Sequence, residues 1–272
     1  ILNELLIFRL DYGIAGAAWA TTIAELAGVL LGILMILRLE PNRYRPGLTW
    51  RPRAGPILAM IALGLPMAMM ASADLGAAAL FQLMQVRMSI VDGAATQIVT
   101  ILTSLAYMPG IGLALAGTTL VGQAIGAGDR DWAERLGNRI IMLVACFMGG
   151  IGILIALVGP WLVPLFVNVA DPRAADVVAL CIAILWIAAA YQFFDGANFA
   201  SAFCLRGAGD VRVPALIVFS FGTLVFLPLT HYLTFAPGRG WIADAPGLGL
   251  GAVGGWWAWL VYVLAIGIAL WL

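Results

Sequence analysis

The chain has 272 residues, 63% of them hydrophobic, and its 14 basic and 14 acidic side chains make up 10% of it. An ordinary soluble domain carries roughly 25% charge, so this composition excludes a water-solvated globule and points to a bilayer as solvent. The zero net charge offers no electrostatic case for a nucleic-acid partner.

Residue types exclude further chemistry. Every basic residue is Arg, and Lys is absent. A Walker-type phosphate loop, a pyridoxal Schiff base and a retinal Schiff base each need a Lys, so none of the three is available. One His, His231, cannot build a multi-histidine metal site. Cys146, Cys181 and Cys204 stand far apart within apolar stretches, away from metal-ligand spacing, and read as small buried hydrophobes. No resident cofactor, no structural metal and no enzyme activity is expected.

In chain order, Ile1 to Phe8 reads as the tail of a helix, and Trp271 and Leu272 still lie within an apolar run. No signal-peptide n-region is visible, and the expectation is a fragment of a longer membrane protein. Seven stretches are long enough to span a bilayer, which takes about 20 apolar residues: approximately 14–38, 56–86, 94–124, 134–158, 174–203, 212–233 and 249–272. Several exceed the minimum, which implies tilt or projection, and Pro66 and Pro109 mark kink sites.

Arg placement sets orientation. Arg38, Arg43, Arg45, Arg51 and Arg53 follow the first segment, Arg130, Arg135 and Arg139 the third, and Arg206 and Arg212 the fifth. Each intervening connection carries a single Arg: Arg9, Arg87, Arg173 or Arg239. Positive residues stay on the cytoplasmic side, so the unbroken alternation puts the first set in the cytoplasm and supports the segment count.

Residues 13–20 (GIAGAAWA) and 251–258 (GAVGGWWA) agree at four of eight positions. They open the first and seventh segments, so a genuine repeat has a period of six helices. The tetrapeptide GAGD occurs at 126–129 and 207–210. Both copies read as punctuation, with Gly ending one helix and Asp capping the next; Asp131 and Glu134 have the spacing of a capping-box variant.

A carboxylate at the centre of a spanning helix costs about 2.5–3.5 kcal/mol, so the deep acids Glu25, Asp74 and Asp195 need a reason. Residues three and four away share a helix face. Around Asp195 these are Tyr191, Gln192, Asn198 and Phe199, a polar and aromatic stripe in an apolar helix. One reading is an interhelical hydrogen-bond cluster. The other is a cation site, with charge from the carboxylate, oxygens from Tyr191 and the amides, and aromatic faces for organic cations. Asp74 follows Pro66 by eight residues, with Phe81 and Gln82 about two turns further along. Glu25 sits among Ala and Gly with no polar stripe and suits a structural or cavity-facing role. Asp74 falls about three residues to the outer side of its segment's midpoint and Asp195 about six to the inner side of its own, which leaves a shared site undecided.

One superficial match is to intramembrane aspartyl proteases of the GxGD type, through GAGD followed by Pro214, Ala215 and Leu216. Here Asp210 lies between Arg206 and Arg212 at a membrane edge, and Phe194 rather than Tyr precedes Asp195. The wider match runs through GIAGAAWAT at 13–21, LGLP at 63–66, MPGIGLALAGTTLVGQAIGAGD at 108–129 and LRGAGDVRVP at 205–214. With these the chain resembles the multidrug and toxic compound extrusion (MATE) transporters, NorM-like branch.

The resemblance implies an all-α integral membrane protein, with residues 1–38 as the last helices of an N-terminal lobe, 39–55 as an Arg-rich cytoplasmic linker and 56–272 as the C-terminal six-helix lobe of a twelve-helix, two-lobe transporter. It implies cation-coupled antiport, H⁺ or Na⁺ against organic cations or drugs, in a bacterial inner membrane. Partners are then membrane lipid and the missing N-terminal lobe. Asp74, Asp195 and Tyr191 match the family's cation-binding positions, although Glu is the familiar residue at the first. Phe81, Gln82, Gln192, Asn198 and Phe199 are the candidate substrate-lining residues. Two alternatives stand beside this reading: a lipid-linked oligosaccharide flippase, which would line its cavity with Arg or Lys, and a non-transporting structural subunit.

Overall fold

A computed structural model describes residues 2–9, 11–38, 53–168, 170–242 and 245–271. Among these, all regular structure is helical. A stub, α1 (Leu2–Glu4), runs into a π-helical turn at Leu5–Arg9. The long helices follow as α2 (Gly13–Arg38), α3 (Ala54–Met88), α4 (Ile90–Gly126), α5 (Arg130–Leu162), α6 (Ala174–Gly207), α7 (Arg212–Thr234) and α8 (Gly251–Trp271). Each of these seven is long and apolar enough to cross a membrane. Most of the Arg-rich segment 39–55, with Arg43, Arg45 and Arg51, lies outside the described residues. The chain divides into two compact units, Ile1–Met60 and Ile61–Leu272.

Helix length agrees with the hydropathy pattern and exceeds it at the ends. At about 1.5 Å per residue, the 37 residues of α4 reach well beyond a hydrocarbon core of about 30 Å. Pro66 in α3, Pro109 in α4 and Pro160 in α5 all lie inside unbroken helices. In α7 the regular pattern is interrupted: Gly222–Phe226 is π-helical and Leu227 N–H donates to Gly222 C=O. Pro228 follows directly; it has no N–H to offer the preceding turn, and a π turn is the usual way a helix absorbs such a misfit.

Both GAGD copies punctuate helices as expected. Gly128 (φ +85°) and Gly209 (φ +90°) take the left-handed conformation that closes a helix. Asp129 Oδ1 then accepts the N–H of Trp132 at 2.9 Å, and Asp210 Oδ1 accepts those of Arg212 and Val213 at 3.1 and 3.2 Å. The capping box expected at Asp131 and Glu134 is not formed, because α5 already begins at Arg130 and Asp129 holds the cap. Asp131 lies in the first turn, where its charge faces the positive end of the helix dipole.

The eight-residue sequence repeat has a structural counterpart. Asp11 (φ +55°) and Gly13 (φ +51°) flank Tyr12; Gly249 (φ +68°) and Gly251 (φ +61°) flank Leu250. Tyr12 N–H donates to Leu6 C=O at 3.1 Å, and Leu250 N–H donates to Leu233 C=O at 3.0 Å. A Cβ at Gly16 would lie 2.7 Å from Leu6 O, and one at Gly254 2.5 Å from Leu233 O. The same turn, with the same close approach of a helix to the preceding carbonyl, is thus built once in each unit.

In the second unit, α5 and α6 pack along a small-residue seam. A Cβ at Gly149 would meet Phe193 Cβ at 2.9 Å, one at Gly152 would meet Ala189 Cα at 3.1 Å, and one at Gly196 would meet Val144 O at 3.1 Å. Without side chains at these points the helices close to backbone contact, which is how membrane helices gain dispersion energy when lipid is as apolar as they are. Polar pins cross the bundle as well. Thr118 Oγ1 donates to Phe203 C=O at 2.8 Å, joining α4 to α6. Asp92 Oδ1 accepts Ala252 N–H at 2.8 Å, so an acid of α4 satisfies a first-turn donor of α8.

His231 is buried, and its Nε2 accepts the backbone N–H of Trp241 at 3.1 Å; it anchors the loop after α7. Cys181 and Cys204 are buried as expected, but Cys146 is exposed. That exposure corrects the reading of all three as core residues, and it is unremarkable on a helix whose outer face meets hydrocarbon.

Candidate functional site

The site is a chamber of about 320 Å³ within the second unit. Asp74 enters it from α3, Tyr107 from α4, Tyr191, Asp195, Asn198 and Phe199 from α6, and Trp259 and Tyr262 from α8. The two carboxylates, 121 positions apart in the chain, open into one cavity. Their estimated offsets from the segment midpoints did not decide this, because the long helices overrun the segments used to estimate depth.

Asp195 is held by two phenols. Tyr107 donates to Asp195 Oδ2, the hydroxyls of Tyr107 and Tyr191 are hydrogen-bonded to each other, and Tyr191 Oη lies 3.1 Å from the same carboxylate oxygen. Three oxygens therefore form a closed triangle. When Asp195 is ionised the two phenols supply only two hydrogens for its three edges, since each hydroxyl has one O–H. The triangle has a free edge for one more proton, or three converging oxygens for a small metal cation.

Aromatic rings form the rest of the wall. Trp259 is the hub, with ring centroids 4.6 Å from Phe81, 5.3 Å from Phe226 and 5.6 Å from Tyr191. Phe226 also packs against Tyr262 at 4.9 Å. The π turn of α7 ends at Phe226, which lines the chamber together with Val218. Aromatic faces around carboxylates suit an organic cation.

The candidate lining residues separate into two groups. Asn198 and Phe199 line the chamber. Asn198 Nδ2 donates to Val263 C=O at 2.6 Å, tying α6 to α8 and leaving its carbonyl oxygen beside Gly267. Gln192 does not line it: the side chain is fully buried and its Nε2 donates to Thr103 C=O at 2.8 Å. A residue one position from Tyr191 points a quarter-turn away, into the seam with α5. Phe81 is 1% exposed and backs the wall behind Trp259 rather than facing the cavity. Gln82 is half-buried and outside the chamber lining. The buried amide on this helix is Gln85, whose side chain lies against Gly255. Glu25 is exposed on α2, in the first unit.

Tyr107, Trp259, Tyr262 and Phe226 escaped the sequence reading. A signal was present for the first three. Thr100, Thr103, Ser104 and Tyr107 form a polar stripe at spacings of three and four in an otherwise apolar helix, and Trp256, Trp259 and Tyr262 an aromatic stripe at spacings of three. Phe226 gave none, because the π turn shifts it out of the 3.6-residue period.

A family profile described as MatE matches residues 66–231. The chain belongs to the MatE family. Among curated relatives, the probable multidrug resistance protein NorM of Brucella suis biovar 1 is 33% identical over 248 residues, covering 89% of this chain and 52% of that protein. The protein of the same description from Mesorhizobium japonicum is 32% identical over 229 residues, covering 82% and 48%. The chain thus spans about half the length of the curated relatives it matches. Among solved structures, a MATE crystallised in complex with MaL6 superposes with a TM-score of 0.80 at 17% identity, over 98% of this chain and 58% of that one. The MATE transporter ClbM in complex with Rb⁺ gives 0.75 at 17% identity, over 99% and 56%. At that identity the likeness shows the MatE fold, a multi-pass helical membrane architecture.

Proposed function

We propose that this MatE chain is the C-terminal half of a twelve-helix exporter that exchanges H⁺ or Na⁺ for organic cations or drugs by alternating access of two lobes. The start of α5 with Arg130, Arg135 and Arg139, the end of α6 with Arg206 and the start of α7 with Arg212 then face the cytoplasm of a bacterial inner membrane. Asp74 and Asp195 are the cation-binding carboxylates, with Tyr191 and Tyr107 supplying further oxygens, and Asn198, Phe199 and the aromatic wall meet the drug.

The observation that carries this reading is the meeting of Asp74 and Asp195 in one aromatic-walled chamber. Burying a carboxylate favours whichever cation neutralises it. One small inorganic cation and one organic cation compete for the same charge, so occupancy by either excludes the other, and mutual exclusion at one site is antiport. The oxygen triangle suits either coupling ion: a proton on Asp195 fills its free edge, and Na⁺ takes the three oxygens as ligands. Two facts about relatives agree with this: the curated ones are described as multidrug resistance proteins, and one structural relative is described as in complex with Rb⁺. The chamber lining carries two acids and no Arg, the opposite of the Arg- or Lys-lined cavity expected of a flippase.

The deciding experiment is Asp195→Asn in the exporter that carries this chain. Drug resistance in an efflux-deficient bacterium is lost while membrane insertion is preserved. Undiminished export by the variant overturns the assignment.

A further inference from the structure

Below the carboxylate chamber, toward the Arg-rich helix ends, lies a second and larger cavity of about 630 Å³. Its walls come from α4, α5, α6 and α8 and include Glu134, Asn138, Ile141, Ser201 and Cys204. One residue, Leu270, lines both cavities. On α6 the two cavities are separated by a single step of the chain, since Ala202 faces the chamber and Ser201 the lower cavity. The lower cavity is wettable at its mouth, where Arg130, Glu134 and Asn138 repeat every four residues along one face of α5. Through Leu270 it shares a wall with the chamber that holds two carboxylates. The side chain common to both walls is apolar, Leu270 near the end of α8, and an apolar constriction between wet compartments closes by dewetting and opens with a small displacement.

We infer that the coupling cation leaves the Asp74–Asp195 chamber for the cytoplasm through this lobe, past Leu270 and along the Glu134 and Asn138 cavity, while the drug moves through the cleft between lobes. This rests on the antiport reading above. The separation has a mechanistic use. A cation released through the cleft would leave by the route along which the drug arrives, whereas release past Leu270 empties the carboxylates without obstructing the incoming organic cation. Leu270 keeps the inner route shut whenever the chamber is open to the outside. Glu134, which shares the mouth with Arg130, offers a carboxylate to a departing ion.

The test uses the whole exporter in proteoliposomes, with H⁺ followed by a trapped pH dye and Na⁺ by radiotracer, without drug for the leak measurements and with drug for the turnover measurement. Leu270→Ala opens the constriction and gives a drug-independent cation leak at least ten-fold above the unaltered protein. Adding Asp195→Asn to Leu270→Ala returns the leak to background, since the ion passes through the chamber. Ile141→Trp fills the lower cavity without touching Leu270 and slows drug turnover at least five-fold at unchanged drug affinity. Vesicles that stay tight with Leu270→Ala, where that variant inserts and binds drug, overturn the release route. Should Leu270→Ala fail to insert, Ile141→Trp decides alone, and normal turnover overturns the route. Export that survives Asp195→Asn sinks the antiport reading itself, whatever Leu270 does, so the two failures are distinguishable.

Discussion

Tyr107 on α4 donates a hydrogen bond to Asp195 on α6, across 88 residues of sequence. The bond joins a phenol from one transmembrane helix to a carboxylate on another, and with Tyr191 it completes the oxygen triangle.

Substituting Tyr107 distinguishes H⁺ from Na⁺ as the coupling ion of the proposed exporter. Tyr107→Phe keeps the ring and its edge contact with Phe199 but removes one oxygen. A hydrogen bond to a charged group is worth about 1.5–3 kcal/mol, and an oxygen ligand is of the same order. With Na⁺ as the coupling ion, the Na⁺ concentration that displaces bound drug rises roughly ten-fold. With H⁺, displacement by protons is not weakened. Drug binding titrated against each ion reads out the difference.

Gln192 and Asp195 respond in opposite ways to loss of polarity. Gln192 Nε2 is bonded to Thr103 C=O, but its Oε1 is buried without a partner among the described residues. Gln192→Leu forfeits one bond and relieves one unsatisfied atom, a net change within about 1 kcal/mol. Thermal stability in detergent and drug export both stay near those of the unaltered protein, whereas Asp195→Asn silences export.

Two glycines give opposite results for reasons visible in the packing. A Cβ at Gly207 would sit 2.4 Å from Thr118 O, a backbone atom that cannot turn aside, while one at Gly112 meets nothing within 4 Å. Gly207→Ala destabilises by about 1–3 kcal/mol. Gly112→Ala in the middle of α4 stabilises by about 0.5–1 kcal/mol. Melting temperatures of the two variants should move in opposite directions.

Asp92 caps a helix that is remote in sequence. It accepts Ala252 N–H at 2.8 Å and, through its other oxygen, the Ser89 hydroxyl at 2.6 Å. Asp92→Ala costs about 1 kcal/mol, the usual loss for a capping side chain. Asp92→Asn keeps an acceptor and loses less. Faster amide exchange in the first turn of α8 would accompany the first change.

What the sequence disclosed and what it withheld follow from the same physics. Hydropathy read the spans because lipid demands long apolar runs, and GAGD read the helix breaks because a left-handed glycine and an acceptor side chain suffice to end one helix and begin the next. Asp195 and Tyr191 stood out because one turn of helix brings them together. Tyr107 joins them only through the packing of α4 on α6, a contact that no local period encodes. Gln192 was misplaced for the converse reason: three positions from Asp195 leaves it about 60° round the helix, and there it turns into the seam with α5. Phe226 was hidden by a π turn that shifts every later side chain of α7 relative to a regular helix.

The matching turns at 11–16 and 249–254, with paired left-handed residues and a shared N–H to C=O bond, make these two segments interchangeable parts. A hexapeptide exchanged between the two units meets the same backbone geometry in its new place, so what differs between the units is carried by side chains outside this corner. The corner itself is neutral hardware, indifferent to the side chains of the helix that follows it.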